Sequence, residues 1–317
     1  MERRRMTAAI WLVAFLTVVG GIATAAPSAV AATDPVVMAA GDIACPPGSA
    51  RRTKCRDDLT AAKLGPATHV ITVGDNQYLC GALADFRAAY DKTWGQVLSK
   101  TYPVVGGDDY TGGGCTTPGA SGYFTYFADR AQQGSCTKAC KGWYSYDIGS
   151  SWHVVALNTA CGEAGVGGCS ASSPQVTWLK ADLANNSRAC VLAVMHQPYW
   201  ANGKTVTKYR ALVNALYAGG ADVLLTGNSH LYARYAQQNP NSQVDTQKGI
   251  RSFIVGTGGR SHSTLQSPTL PNLQASNDTT FGVLKLTLHP SSYDWQYVQA
   301  YPEVSNQYTD MGSTDCH

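Results

Sequence analysis

The sequence predicts one large α/β domain built on a mixed sheet, and three observations predict it. Short runs rich in Val, Ile and Thr alternate with stretches of helical periodicity. Five of those runs deliver a potential metal ligand at the C-terminal end: Asp42, Asp75, Asp108 with Asp109, His196 and His230. No internal repeat and no linker divides the chain beyond about residue 31. In an open α/β sheet, residues at such strand ends share one edge, where these folds bind ligands.

The elements follow in order. Residues 35–40 form an apolar strand ending in Gly41-Asp42, and a short helix covers 59–64. The stretch VITVGDNQY over 70–78 organises the rest. Its β-branched run stops at Gly74, Asp75 arrives at the strand end, and Tyr78 follows three residues later. Residues 83–98 read as one amphipathic helix, with Phe86, Tyr90, Trp94 and Val97 turned to the core. A strand over 102–105 ends in Gly106-Gly107-Asp108-Asp109-Tyr110, a Gly/Thr loop covers 112–122, and 123–127 makes a helical turn. Residues 143–158 read as a hairpin broken at Gly149-Ser150-Ser151. Ser173-Pro174 stands as N-cap and first residue of a helix reaching about 185. Strands follow at 190–195, 221–226 and 250–255, with a helix over 209–217. A final hairpin pairs 281–288 with 293–299.

The N-terminal 31 residues read as targeting sequence rather than fold. Glu2-Arg3-Arg4-Arg5 precedes an apolar run over 8–25, and Pro27 and the small-residue site Ala29-Val30-Ala31 close it. This is the pattern of a secretory signal peptide over 1–31, leaving a domain over 32–317 and no membrane anchor after cleavage. An uncleaved anchor is the alternative. Three of the arginines behind the net charge of +3 leave with that segment, and no basic stripe remains to suggest a nucleic-acid surface. In an exported chain, ten cysteines predict disulfides. Spacing suggests Cys45 with Cys55 and Cys161 with Cys169, and Cys316 is a candidate partner for Cys190. Cys80, Cys115, Cys136 and Cys140 remain, with open connectivity. A zinc site at Cys136 and Cys140 lacks a second ligand pair.

Carboxylate, imidazole and phenol donors at one edge suit a transition metal held by oxygen and nitrogen. Taken alone, a turn aspartate or a histidine in a core is usually structural; five in register point to a site. No P-loop, dinucleotide fingerprint or nucleophile elbow competes: Gly256 to Gly259 is a sharp turn, and 119–122 lacks the Gly-x-Ser-x-Gly pattern.

The blocks Gly41-Asp42, Gly74-Asp75-Asn76-Gln77-Tyr78, Gly106-Gly107-Asp108-Asp109-Tyr110, Val194-Met195-His196 and Gly227-Asn228-Ser229-His230-Leu231-Tyr232 stand in a telling order. Their order resembles the calcineurin-like metallophosphoesterases, most nearly the purple acid phosphatase branch and its secreted bacterial relatives. Those proteins carry GD, GDxxY, GNHE, VxxH and GHxH. The resemblance runs from Val36 to about Gln299 and implies a four-layer α-β-β-α sandwich around a dinuclear centre of Fe, Zn or Mn.

It implies that Asp42, Asp75, Tyr78 and His230 hold the first metal. Tyr78 would then be a phenolate that colours a ferric ion. Asp75 would bridge to a second metal, and His196 would bind that one. Two other positions depart from the pattern. Gly107 stands in place of the ligating Asn, and Asn228 in place of the first His of GHxH. Asp108 replaces the His that meets the substrate phosphate or leaving group. Asn228 can still offer an amide oxygen. Asp108 and Asp109 either repel a phosphoester or supply replacement ligands. Tyr110 and Tyr232, with Tyr199, are expected to line the cleft. His69 and His153 read as structural, and His262, His289 and His317 as surface residues.

Two functions follow as expectations. One is a secreted hydrolase of small phosphoesters that uses a metal-activated hydroxide and has a weakened second metal site. The other is an inactive protein of the same fold with a binding or structural role.

Overall fold

The computed structural model describes Met1 and residues 33–317, save 49–53, 111–117, 133, 135, 137–138, 268–269 and 306. The expected signal peptide, Cys115 and most of the 112–122 loop therefore lie outside the described residues.

The strands are β1 (Val36–Ala40), β2 (His69–Val73), β3 (Thr101–Val104), β4 (Tyr144–Ile148), β5 (Trp152–Leu157), β6 (Cys190–Met195), β7 (Trp200–Ala201), β8 (Lys204–Thr205), β9 (Val223–Thr226), β10 (Tyr232–Tyr235), β11 (Arg251–Val255), β12 (Leu273–Asn277), β13 (Phe281–Leu288), β14 (Ser292–Tyr301) and β15 (Met311–Asp315). The first sheet runs β15-β14-β13-β1-β2-β3, and the second β12-β10-β11-β9-β6-β5-β4. Parallel pairing joins β1, β2 and β3 in one sheet, and β5, β6, β9 and β11 in the other. Their C-terminal ends carry every residue singled out above as a metal ligand.

The sequence period explains the layering. A strand buried on both faces sends alternate side chains into opposite layers. On β6, Leu192 and Val194 face the core shared with the first sheet, beside Val37 and Val70. Its Val191, Ala193 and Met195 face away and pack with Leu179, Leu212 and Leu216. Those leucines belong to α5 (Pro174–Asn185) and α6 (Arg210–Ala218), which form the outer helical layer. On the far side, α1 (Asp57–Ala61) packs on β13 and β14, and the 3-10 segment Trp94–Lys100 packs on β2. The result is the four-layer α-β-β-α sandwich. As expected, Ser173 caps α5: its hydroxyl accepts the Val176 N–H at 3.4 Å.

The single helix expected over 83–98 is broken. It is α2 (Leu83–Ala88) followed by 3-10 turns at Tyr90–Lys92 and Trp94–Lys100. Non-helical backbone at Ala89 (φ −124°) and Thr93 (φ −125°) separates them. Aromatic packing outweighs helical propensity here, since Phe86 stacks on Tyr126 with centroids 4.7 Å apart and meets Phe127 edge-on at 5.5 Å. Strands β7, β8, β10, β12 and β15 were not legible. Both β12 and β15 are edge strands with partly exposed faces, so no apolar alternation marks them.

Both pairs suggested by spacing are disulfides, as is the candidate pair Cys190 and Cys316, and Cys136 is joined to Cys140, so those two sulfurs hold no zinc. Cys80 is also disulfide-bonded.

Candidate metal centre

Each candidate ligand sits on a turn that stops a parallel strand. Asp42 follows β1 with φ 59°, and Asp75 follows β2 with φ 51°. Beyond β9, Asn228 has φ 64° and His230 φ 46°. Left-handed backbone in residues with a Cβ costs energy, and folds tend to keep it where side chains must be aimed. Glycines make room for these turns. A Cβ on Gly74 (φ 90°) would stand 2.4 Å from His196 Nδ1, and one on Gly106 would stand 2.1 Å from the Asp75 backbone nitrogen.

The four first-metal candidates converge. Tyr78 Oη lies 2.8 Å from Asp42 Oδ1, 2.9 Å from Asp75 Oδ2 and 3.1 Å from His230 Nε2. His230 Nε2 is 3.0 Å from Asp42 Oδ1. One phenol proton cannot serve two carboxylates and an imidazole lone pair together. The cluster is therefore rich in electron pairs directed at a common point, and a cation suits it. His230 is held through Nδ1, 2.7 Å from the Ser261 hydroxyl. Asp42 accepts the Asn228 backbone N–H on its other oxygen at 2.8 Å.

His196 enters from the opposite sheet and is fully buried. Its Nδ1 sits 2.8 Å from the Val73 carbonyl and donates a proton to it, so Nε2 is the nitrogen left to face the centre. Nε2 lies 3.2 Å from Asp75 Oδ1 yet makes no properly directed hydrogen bond. A buried imidazole nitrogen without a partner, facing a carboxylate, fits a metal ligand; backbone carbonyls orient such histidines in many metal sites. Burial opposes a charge on His196, and the Asp75 carboxylate favours one strongly enough to raise the pKa to about 10. Asp42, Asp75 and His196 each offer a ligand atom, all within 4.8 Å of one another. Asp75 faces both halves of the centre, as a bridging carboxylate would.

The second half is thinner. Gly107 contributes no side chain, and open space surrounds the place its Cβ would take. Asn228 is exposed, and its amide oxygen accepts from Gln197 Nε2 at 2.7 Å. Asp108 is half-buried at the rim and donates its backbone N–H to Asp75 Oδ1 at 2.8 Å. Burial, and then the nearby Asp75 charge, push its carboxyl up to about 7. Asp109 plays a different part. It is fully buried and takes N–H groups of Asn76 and Gly106 at 2.9 to 3.3 Å, binding the β2 and β3 turns together.

Tyr110 and Tyr232, expected to line the cleft, are core residues instead. Tyr110 is buried and accepts the Asn158 amide N–H at 2.8 Å, and Tyr232 donates to Asp310 Oδ2 at 2.7 Å. Tyr199 is also buried, with its hydroxyl on the Pro240 carbonyl. Each phenol tip finds a polar partner inside the protein, which lets the ring stay buried. Ser261 and Arg260 were missed. They follow β11, a sixth strand end, and the rule that found the other residues would have found them had Gly256 to Gly259 not been read only as a turn.

No protein-family model matches this sequence, and no curated protein does either. Solved structures share its fold. Purple acid phosphatase PPD1 from yellow lupin (Lupinus luteus) seeds aligns with TM-score 0.66 and 16% identity, over 89% of this chain and 53% of that one. This chain thus spans about half of that phosphatase's length. GAP50, described as the anchor in the inner membrane complex of Plasmodium, aligns with TM-score 0.64 and 12% identity, over 90% of both chains. A dimetal phosphatase from Danio rerio aligns with TM-score 0.51 and 11% identity, over 90% of this chain and all (100%) of the other. At these identities the likeness is one of fold, and function lies in the site.

Proposed function

We propose that this protein is an exported, metal-dependent hydrolase of small phosphoric esters, with a firm first metal position and a weakened second one. One observation carries the reading: donor atoms of Asp42, Asp75, Tyr78 and His230, from three separate stretches of chain, meet within 2.8 to 3.1 Å of a neighbour in the cluster. A cation of Fe, Zn or Mn there would act as Lewis acid and lower the pKa of its water towards about 7, giving the metal-activated hydroxide.

The chain's own residues set the rest. Ser261 and the Val73 carbonyl fix the two imidazoles in orientation. Asp75 has one oxygen for each half of the centre. Asp108, at the open rim, stands where a proton could pass to a leaving group. Asp109 keeps the two carboxylate-bearing turns in register. The four described disulfides support an extracellular location. Among the described residues no helix is long and apolar enough to cross a membrane.

A second reading is a non-catalytic protein that keeps the fold and one cation. The empty place at Gly107 and the turned amide of Asn228 favour it, and a protein described as an anchor has the same fold. Metal counting and turnover separate the two. The mature protein is assayed on a chromogenic phosphomonoester and phosphodiester across a pH series, with metals per chain measured on the same sample. Metal-dependent turnover supports the hydrolase. One metal per chain with no turnover supports the binding role, and no metal at all defeats both.

A further inference from the structure

Arg260 is 9% exposed, and its Nε is buried without a hydrogen-bond partner. No described carboxylate pairs with its guanidinium. A buried, always-charged group without a counter-ion is costly, and folds usually remove it or pair it. Here it is held in place. Gly258 donates its N–H to the Gly41 carbonyl at 2.8 Å, and Arg260 donates its own to the Asp42 carbonyl at 2.9 Å. The Thr60 hydroxyl donates to the Gly258 carbonyl at 2.5 Å, and the Arg56 N–H donates to the Gly259 carbonyl at 2.9 Å. A Cβ on Gly258 would come within 2.4 Å of the Gly41 oxygen, so the two loops touch backbone to backbone. The loop that ends β11 is thereby bolted to the loop that carries Asp42.

That clamp delivers the guanidinium to the centre. Its Cζ stands 4.7 Å from the centroid of the Tyr78 ring. The surroundings hold the carboxylates of Asp42, Asp75 and Asp108, and the second metal's ligands are depleted. A phosphoester approaching this rim needs fixed positive charge from another source.

We propose that Arg260 is the substrate-anion clamp of this site, gripping non-bridging oxygens of a phosphoryl group and standing in for charge that a full second metal would supply. The guanidinium fork matches two such oxygens at once, and it stays charged at any working pH. The assignment rests on the hydrolase reading above. Stacking on Tyr78 alone would explain the 4.7 Å contact, but it leaves the buried Nε unused.

The test is the affinity of inorganic phosphate for the metal-loaded protein, measured by titration calorimetry, with metal per chain determined on each sample. Arg260→Gln should weaken phosphate binding about 10- to 100-fold with metal content unchanged, and Arg260→Lys should fall between, since it keeps charge and loses the fork. Unchanged phosphate affinity in Arg260→Gln with the metal in place overturns the clamp. If the Gln variant does not fold, unchanged affinity in Arg260→Lys overturns it. A loss of metal in step with phosphate would make Arg260 a support for Tyr78 and also overturn the clamp. Normal turnover of phosphoesters beside an indifferent Arg260→Gln would leave the hydrolase reading standing. An unmodified protein that takes up neither metal nor phosphate would end both.

Discussion

Replacing Tyr78 by Phe separates a ligand from a packed aromatic. The ring is 2% exposed and Phe fills its volume, so no cavity forms. What disappears is the hydroxyl, 2.8 Å from Asp42 and 2.9 Å from Asp75. It has one proton to give, so the metal-free protein loses one hydrogen bond to a buried carboxylate. Such bonds contribute about 1.5–3 kcal/mol. In a chain of this size that is a drop of roughly 3–12 °C in Tm, at about 2–4 °C per kcal/mol. With metal present a further loss should appear, because a weaker site stabilises the fold less: about 1.4 kcal/mol for each tenfold rise in the metal Kd. Calorimetric melts of both proteins, with metal and with chelator, give the four values required. Tyr78→Phe should cost more in the metal-loaded state than in the chelated one. Equal losses in both states would show that the phenol is no ligand, and the four-donor centre would fail with it.

Three further outcomes follow from the geometry. Gly107→Asn, Asp108→His and Asn228→His together should raise metal per chain and turnover. Open space at Gly107 admits the new side chain, and His tolerates the left-handed backbone at Asn228; unchanged metal content would mean the blocks are misaligned. Gly74→Ala should destabilise by several kcal/mol and strip metal from the His196 half, because the new Cβ meets His196 Nδ1 at 2.4 Å on backbone with φ 90°; denaturant melts and metal analysis would detect both. His153 offers a pH test away from the centre. Burial lowers its pKa, but hydrogen bonds to Asp182 and Asp147, both 2.8 Å, prevail and hold it above 6.5. A raised folded pKa stabilises fully below the unfolded value near 6.5 and ceases to do so as pH rises through the folded value. The chelated protein should therefore lose more stability between pH 6 and 9 than its His153→Gln variant, and parallel curves would refute the bridge.

The strand ends were legible because two constraints coincide there. A buried parallel strand needs a β-branched run, and a site needs a polar residue where the run stops. Asp42, Asp75, His196 and His230 satisfy both, so each shows in the sequence as a sharp change of character. Asp108 and Asp109 look alike in sequence yet part in space, one at the rim and one buried against Asn76, because a single helical turn points neighbours in different directions. Tyr110 and Tyr232 carry no mark that tells a cleft from a core, since a buried phenol needs only one polar partner. The break in the 83–98 helix was hidden for a related reason. Phe86, Tyr90 and Trp94 keep helical spacing, and only their packing against Tyr126 and Phe127 reveals how the backbone bends to seat them. Arg260 was obscured by the glycines that position it.

Asp42 and Asp75 are anchored in one sheet, His196 and His230 in the other. An ion gripped by all four would act as a rivet through the seam between the two layers, at the opposite end of β6 from the Cys190–Cys316 disulfide that also crosses it. Substitutions deep in that seam, at Val37 or Leu192 and far from any donor atom, would then detune the grip by letting the layers slide. The colour or spin signal of such an ion would serve as a gauge of how the sandwich is stacked.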